Sequence, residues 1–374
     1  MSDITLILLA AGSSSRFSMD VKKQWLRIDH TPLWQFVAQK LENTDYFTKI
    51  VIVASDEDIG FMGNFATYNF VEGGSTRQES LKNALKNIDT EYVLVSDIAR
   101  ACITKDLLQK IIEKKDVADV IVPYLKVTDT IVYDNSTIDR DKVKRIQTPQ
   151  LSKTKILQQA LQTSIEYTDE SSAIVAFGGS REFILGDENA HKITYVTDLK
   201  HLSCLTQPSN DILSGNGFDV HQFTDNKDMW LGGVKIDSDF GFLAHSDGDV
   251  AIHSLIDALL GASGLGDIGM LFPDTDDKFK GIDSKLLLKE VTKKIYNFGF
   301  NIVNVDITIA AQKPRIGKYK QEMKKVIANI LGIDSARVNV KATTTEKLGF
   351  IGRSEGVGVW SNANLKYFDW NNIK

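Results

Sequence analysis

The sequence predicts two α/β domains in tandem, the first a mostly parallel sheet covered on both faces and the second an α/β sandwich. Three observations carry this expectation. The chain is 374 residues long, more than one ordinary hydrophobic core organises. In its first half short apolar runs alternate with amphipathic stretches, the pattern of strands joined by crossover helices. Beyond residue 211 the texture changes to Gly- and Asp-rich turns between three longer helical stretches.

In order along the chain, residues 4–10, 50–54, 92–95 and 117–123 read as buried strands, because their apolar runs are short and nearly continuous. Residues 32–41, 77–86 and 105–114 have helical spacing between them. Residues 126–146 break this rhythm and read as an extended arm or hairpin with a polar tip at 134–136. Helices are expected around 154–163 and 171–177. The polar run Thr206-Gln207-Pro208-Ser209-Asn210-Asp211 contains a helix-stopping proline and is the expected linker, which sets domains at 1–207 and 212–374. The second domain then carries helices at 249–260, 284–298 and 318–331, with strands near 304–311, 338–344 and 356–363. There is no internal repeat and no low-complexity segment.

Composition narrows the function classes. The formal net charge of −5 supplies no basic field for nucleic acid, so an anionic substrate must be held by local cations. The two cysteines, Cys102 and Cys204, are far apart in sequence; no disulfide is expected between them, and a reducing compartment is the default. The first ten residues lack a basic region and include Asp3, so they read as a strand and not as a signal peptide. No apolar run approaches the ~20 residues a membrane helix needs. A cytoplasmic location is expected.

The first strand leads directly into Ala10-Ala11-Gly12-Ser13-Ser14-Ser15-Arg16, small residues that let backbone N–H groups approach a phosphate chain. Arg16 and Lys23 supply charge for a triphosphate, although a small-residue turn with two solvated cations would look the same, and this is neither a Walker loop nor a dinucleotide fingerprint. Gly73-Gly74-Ser75-Thr76-Arg77-Gln78-Glu79-Ser80 joins a strand to a helix, with glycines that admit a base against the backbone. Asp97 lies just past a buried strand's carboxyl end, where open α/β sheets place ligands; it could bind Mg²⁺ on a nucleotide or simply cap a helix.

These stretches, with Lys23-Gln24, Asp97 to Arg100, Asp129-Thr130, Thr148-Pro149-Gln150 and Thr168-Asp169-Glu170-Ser171-Ser172, occur in an order that resembles 2-C-methyl-D-erythritol 4-phosphate cytidylyltransferases over about residues 1–207. The resemblance implies a Rossmann-like nucleotidyltransferase domain with an extended arm, acting on CTP and methylerythritol phosphate. It implies Arg16, Lys23 and Lys192 around the reacting phosphates, and Ala10, Ala11, Gly12, Gly74 and Ser80 at the nucleotide. It also implies Asp97 at Mg²⁺, and Thr130 and Arg140 in an arm that reaches a neighbouring subunit's methylerythritol phosphate. Three positions depart from the family: the phosphate loop lacks its second glycine, Lys22 stands for a proline, and Ala101 stands for the proline after Arg100.

In the second half, Gly217-Phe218-Asp219-Val220-His221 alternates as a strand would, which puts Asp219 and His221 on one face. His253 and Asp257 share a face of the following helix. Two histidines and a carboxylate with an open fourth position make a catalytic zinc site, while either histidine alone could be a satisfied polar group. Gly264-Leu265-Gly266-Asp267-Ile268-Gly269 matches a dinucleotide pattern, but it follows a helix where a strand is required.

Together with Leu243 to Val250, Phe272-Pro273-Asp274-Thr275-Asp276 and Lys341 to Phe350, these motifs resemble 2-C-methyl-D-erythritol 2,4-cyclodiphosphate synthases over about residues 212–374. The resemblance implies a homotrimer with sites between subunits. It implies Zn²⁺ on Asp219, His221 and His253; His245 and Ser246 in a mobile segment beside the phosphates; and Asp267 and Phe272 at the substrate. It places Ala311, Lys313, Thr343 and Thr344 at the nucleotide, Glu346 at Mg²⁺, and Phe350, Arg353 and Glu355 near the trimer axis. The substrate would be the CDP derivative of methylerythritol phosphate carrying a 2-phosphate. A dimerising arm and a trimerising domain together imply a trimer or hexamer. A separate kinase acts between the two reactions, and no membrane or nucleic-acid partner is expected. The alternative is a scaffold or regulatory fusion with only one active domain.

Overall fold

The computed structural model describes residues 3–373 apart from 13 and 274; Ser13 of the phosphate loop, Asp274 and the chain's last residue therefore lie outside the described residues. The chain divides into two compact units, one of residues 1–208 with 369–374 and the other of residues 209–368.

The first unit is built on an eight-stranded sheet. From one edge it runs Lys144–Ile146, Val120–Lys126, Gln150–Lys153, Tyr92–Asp97, Ile4–Leu9, Lys49–Ala54 and Asn69–Glu72, with Arg181–Leu185 also pairing with Val120–Lys126. Ile4–Leu9 is parallel to both its neighbours, whereas Gln150–Lys153 is antiparallel to both of its own. Every residue of Ile4–Leu9 and of Tyr92–Asp97 is buried, as strands covered on both faces must be. The helices Leu33–Glu42, Arg77–Leu85 and Lys105–Glu113 fall within a residue or so of their expected positions. The strand expected at 117–123 instead runs Val120–Lys126, because Val117 is exposed in the turn before it. The arm forms a hairpin, Ile131–Tyr133 against Ser136–Ile138, turning through Asp134 and Asn135 at positive φ.

The second unit carries a five-stranded sheet in the order Phe240–Phe242, Leu213–Asp225, Gly356–Tyr367, Phe300–Ala310 and Val338–Thr343. The helix Val250–Ser263 lies on the first long strand at close range. A Cβ added at Gly217 would run into the Ser254 carbonyl, and one at Gly215 into the Ala258 carbonyl and the Ala262 amide. Glycine is required here for approach and not for dihedral freedom. The glycines alternate with Phe218 and Val220 on the opposite face, which are exposed.

Two expectations are corrected. Cys102 and Cys204 form a disulfide, with Cα atoms 5.7 Å apart, because the fold returns residues near 204 to the loop after Tyr92–Asp97; the argument from unpaired thiols to a reducing compartment loses its footing. The second domain was expected to run to 374, yet residues 369–374 belong to the first unit. The Trp370 ring is buried there and its Nε1 donates to the Arg27 carbonyl at 2.7 Å. Trp370→Ala should therefore destabilise the first unit by about 3 kcal/mol, the usual cost of emptying a buried tryptophan site. Urea unfolding that follows cytidylyltransferase activity reads this; a change below about 0.5 kcal/mol would mean the ring is not docked.

Candidate active sites

In the first unit a cavity of ≈ 410 Å³ opens at the carboxyl ends of Ile4–Leu9 and Tyr92–Asp97, where the order of the parallel strands reverses. Ala10, Ala11, Gly12, Arg16, Lys23, Gly74, Ser80, Asp97 and Lys192 all line it, which brings together every expected residue of this unit except the two on the arm. The phosphate loop is pinned at its start by Ala10 N–H donating to Val53 O at 2.7 Å. Its missing second glycine has a visible consequence: Ser14 sits at φ 58°, the left-handed region glycine adopts freely and serine does not. In exchange, the Ser14 Oγ accepts the Lys23 N–H at 3.1 Å. Gly73 has no room for a side chain, since a Cβ would lie 2.6 Å from that of Ala11. Gly74 N–H donates to Ser80 Oγ at 3.0 Å, so the two expected nucleotide contacts form one turn.

The electrostatics centre on Asp97. Its Oδ2 accepts from Lys192 Nζ at 2.9 Å and Thr148 Oγ1 at 3.1 Å, and its Oδ1 lies 3.6 Å from Arg77 Nε. Burial alone would raise its pKa, but Lys192 and Arg77 outweigh burial and hold it well below the usual carboxylate range. An ionised carboxylate oxygen facing a phosphate loop suits Mg²⁺. Lys23 is lowered by burial first, then by the neighbouring Lys192 and Arg16 charges. Arg77 was not singled out as a site residue, although it lies inside the quoted glycine-rich stretch; its Nη1 is held at 2.6 Å by the buried Glu170 carboxylate. Thr130 and Arg140 do not line the cavity; both are exposed on the arm, where Arg140 donates to the Thr128 carbonyl at 2.6 Å.

In the second unit Asp219, His221 and His253 converge, with one ligand atom of each within 4.8 Å of the others. Their strand and helix are held together by the glycine contacts described above. Asp219 Oδ2 lies 3.2 Å from His221 Nδ1 and 3.3 Å from His253 Nδ1. Burial would raise the Asp219 pKa, but the two imidazoles bring it down to about 2. His221 Nδ1 is buried and, despite its distance to Asp219, is not aligned to make a hydrogen bond. Two imidazole nitrogens and an ionised carboxylate are a three-ligand set that fits a tetrahedral metal with one open position. The far nitrogen of His253 meets Ser284 Oγ at 2.9 Å, and that hydroxyl reaches Asp247 Oδ1 at 2.5 Å.

A cavity of ≈ 520 Å³ opens over this cluster and is lined also by His245, Ser246 and Phe272. Asp267 does not line it; it caps the short helix Ile268–Leu271 by accepting Met270 N–H at 2.9 Å. Thus the dinucleotide-like glycine run joins a helix ending at Ser263 to that short helix, not a strand to a helix. The residues expected at the nucleotide gather elsewhere: Ala311 N–H donates to Thr343 O at 3.0 Å, and Thr344 Oγ1 to Glu346 Oε1 at 2.8 Å. Neither they nor Lys313, Phe350 or Arg353 line the metal cavity, and Arg353 is paired with Glu355 at 2.7 Å. The sheet register runs Asp219, Val359, Ile309, Ala342, so these residues stand at the same end of the sheet but three strands across, about 14 Å at the usual strand spacing. Ser284→Ala should weaken divalent metal binding by about 10–100-fold by releasing His253, as loss of a ligand's supporting hydrogen bond does. Metal titration of the purified chain checks this; unchanged affinity would remove Ser284 from the site.

Comparison with known proteins places each unit in a family. Residues 4–205 match the family described as 2-C-methyl-D-erythritol 4-phosphate cytidylyltransferase, and residues 212–366 match the YgbB family. A bifunctional enzyme IspD/IspF of Sulfurimonas denitrificans is 68% identical over 99% of this chain and 96% of its own length. One of Aliarcobacter butzleri is 54% identical over 99% of both chains. The solved structure of the bifunctional IspDF from Campylobacter jejuni superposes with a TM-score of 0.92 at 52% identity, covering 99% of this chain and 100% of that one. With two sites of the expected composition on two units, the chain belongs to the bifunctional IspD/IspF enzymes of the methylerythritol phosphate pathway, which join a cytidylyltransferase to a cyclodiphosphate synthase.

Proposed function

We propose that the first unit makes the cytidylyl ester of methylerythritol phosphate and that the second closes its 2-phosphate derivative into a cyclic diphosphate. In the first reaction a phosphate oxygen of methylerythritol phosphate bonds to the α-phosphorus of CTP, the bond to the β-phosphate oxygen breaks, and diphosphate leaves. The observation that carries this reading is the convergence of Arg16, Lys23 and Lys192 on one cavity beside an ionised Asp97. Transfer of this kind needs positioning and charge compensation more than covalent help. The backbone of 10–12 and the Gly74–Ser80 turn hold the nucleotide. Asp97 would hold Mg²⁺, which would supply positive charge to offset that of the phosphates. Thr130 and Arg140 serve a neighbouring subunit's site, a role supported by their exposure on an arm whose Val132 and Tyr133 are also uncovered.

In the second reaction the 2-phosphate oxygen attacks the β-phosphorus of the CDP arm and CMP leaves. Asp219, His221 and His253 hold Zn²⁺, which would supply Lewis acidity and a template at the β-phosphate. His245 and Ser246 border the reacting phosphates, and Asp267 and Phe272 the methylerythritol moiety. Ala311, Lys313, Thr343 and Thr344 bind the nucleotide, with Glu346 available to a second Mg²⁺. One sheet edge carries the metal end and the other the nucleotide end, so a whole site needs two chains side by side. The uncovered sheet face supports this: Phe218 and Trp360 are 52% and 45% exposed with ring centroids 4.7 Å apart, and Phe350 is exposed too. Phe350 and Arg353 would then lie near the axis. A trimer through the second unit and a dimer through the arm close into six chains.

No described helix is long and apolar enough to cross a membrane; we place the enzyme in the cytoplasm, with the intervening kinase as a separate protein. The scaffold alternative has no support, since both sites keep their charged groups.

Lys23→Ala should lower cytidylyltransferase kcat by about 10²–10³, the usual loss of one donor aimed at developing charge, with cyclisation intact. His221→Ala or a zinc chelator should do the reverse, abolishing CMP release by cyclisation. Both activities and bound zinc, measured on one preparation, decide; stoichiometric zinc with full cyclisation in His221→Ala would overturn the metal assignment. In light scattering the protein should appear as a multiple of three chains, and a stable monomer would refute the shared site.

A further inference from the structure

Lys23 is in an awkward place. Burial and the neighbouring Lys192 and Arg16 charges oppose its ammonium and outweigh the favourable Asp97 and Asp198 charges, and the contact at its Nζ is a neutral acceptor, the Ile193 carbonyl at 3.1 Å. A flexible four-carbon chain in such surroundings gains by swinging out to water, where its rotamer freedom and hydration return. Something other than its own contacts must keep it aimed into the cavity.

The residues on both sides of it supply the answer. Lys22 Nζ donates to Asp58 Oδ1 at 3.2 Å, Trp25 Nε1 to the same oxygen at 2.7 Å, and Gln24 Nε2 to Oδ2 at 3.0 Å. Ser55 Oγ donates to Oδ2 at 2.7 Å and accepts the Asp58 N–H at 3.2 Å, which fixes the carboxylate at the start of the helix Asp56–Met62. Asp58, Gln24 and Trp25 are each at most 2% exposed. The Lys22 pKa, which burial would lower, is instead raised by Asp58 and Glu57. Lys23, Gln24 and Trp25 form one 3₁₀ turn. With the side chains of 24 and 25 drawn to Asp58, that of Lys22 shared between Asp58 and Glu57 at 3.2 and 3.0 Å, and the Lys23 N–H tied to Ser14 Oγ, the direction left for the Lys23 side chain is into the cavity.

We infer that Asp58, which does not line the cavity, is the positioning residue for Lys23: a buried carboxylate that grips the turn around the lysine and holds its ammonium at the reacting phosphates. The inference rests on the catalytic role proposed for Lys23. Its chemistry is a division of labour. A carboxylate paired directly with Lys23 would neutralise the charge the phosphates need. One paired with its neighbours fixes the geometry and leaves that charge available.

The test is Asp58→Asn in the full chain, with three readouts on one preparation: cytidylyltransferase kinetics, cyclisation as a control for the other unit, and labelling of Lys23 by an amine-selective acylating reagent resolved by peptide mass spectrometry. The expected result is a fall in kcat of about tenfold or more, larger than any change in KM for CTP, as befits loss of charge stabilisation in the transition state. Lys23 labelling should rise about fivefold or more as the side chain is released, a magnitude set by loss of rotamer restraint, and cyclisation should be unchanged. An unchanged kcat overturns the inference. So does a reduced kcat with unchanged Lys23 labelling, which would make Asp58 general support for the fold. If Asp58→Asn does not fold, Trp25→Phe keeps the ring and removes one donor; it should show the same paired changes at smaller amplitude, and their absence is equally fatal. Lys23→Ala run alongside separates the two readings, since near-normal diphosphate release there removes the catalytic role itself.

Discussion

Repulsion among Arg16, Lys23 and Lys192 is the constraint on which the first unit's structure depends. A chain of net charge −5 that handles a triphosphate has to gather cations at one point, and cations gathered in a half-buried cavity push apart. The fold answers with carboxylates at two removes. Asp97 takes Lys192 directly and faces Arg77, while Asp58 holds the turn that carries Lys23. Around this pair stand residues of the motifs that carry the family resemblance. Thr148 links Asp97 to the Arg100 guanidinium, at 3.1 and 2.7 Å. Gln150 binds Asp169 at 3.0 Å and the Ser171 N–H at 3.0 Å, and Glu170 holds Arg77. These motif residues form the frame that keeps opposed charges in register.

The second unit solves a related problem with a metal set. Asp219 is ionised against its burial because two imidazoles flank it, as Asp97 is ionised by its cations. What differs is the backbone. The first site hangs on loops after strand ends, the second on a strand and a helix pressed together through Gly215 and Gly217. Ligands on regular elements hold their geometry better than ligands on loops. The loop residues Leu243, Ala244, His245 and Ser246 line the cavity beside that ligand cluster.

Incompleteness is a feature common to both units. The arm's Thr130 and Arg140 stand outside their own cavity, and the metal and nucleotide ends of the second sheet face opposite edges. On the proposed residue roles, a single chain carries every group of both reactions but gathers only some of them at each cavity.

How much of this was legible depended on the range of the interaction concerned. Strands such as Ile4–Leu9 and helices such as Arg77–Leu85 were readable because burial imposes a short period on the sequence, and the same period put Asp219 and His221 on one face. Motif spacing and the family resemblance together singled out residues 10–12, Arg16, Lys23 and Lys192, which line one cavity, and Asp219, His221 and His253, which form one cluster. Arg181–Leu185 was not readable, since it is a half-buried edge strand with little alternation, and neither was Gln150–Lys153, which is polar at both ends. The Cys102–Cys204 bridge, the Trp370 anchor, the Arg77–Glu170 pair and the Asp58 grip on residues 22 to 25 were invisible for one physical reason. Each joins groups between 33 and 343 positions apart, and local periodicity carries no information about partners at that distance. The sequence by itself determined which elements form and which chemical groups they carry. Only the tertiary structure decided which of those groups meet, because that follows from how the sheets close and where the chain returns.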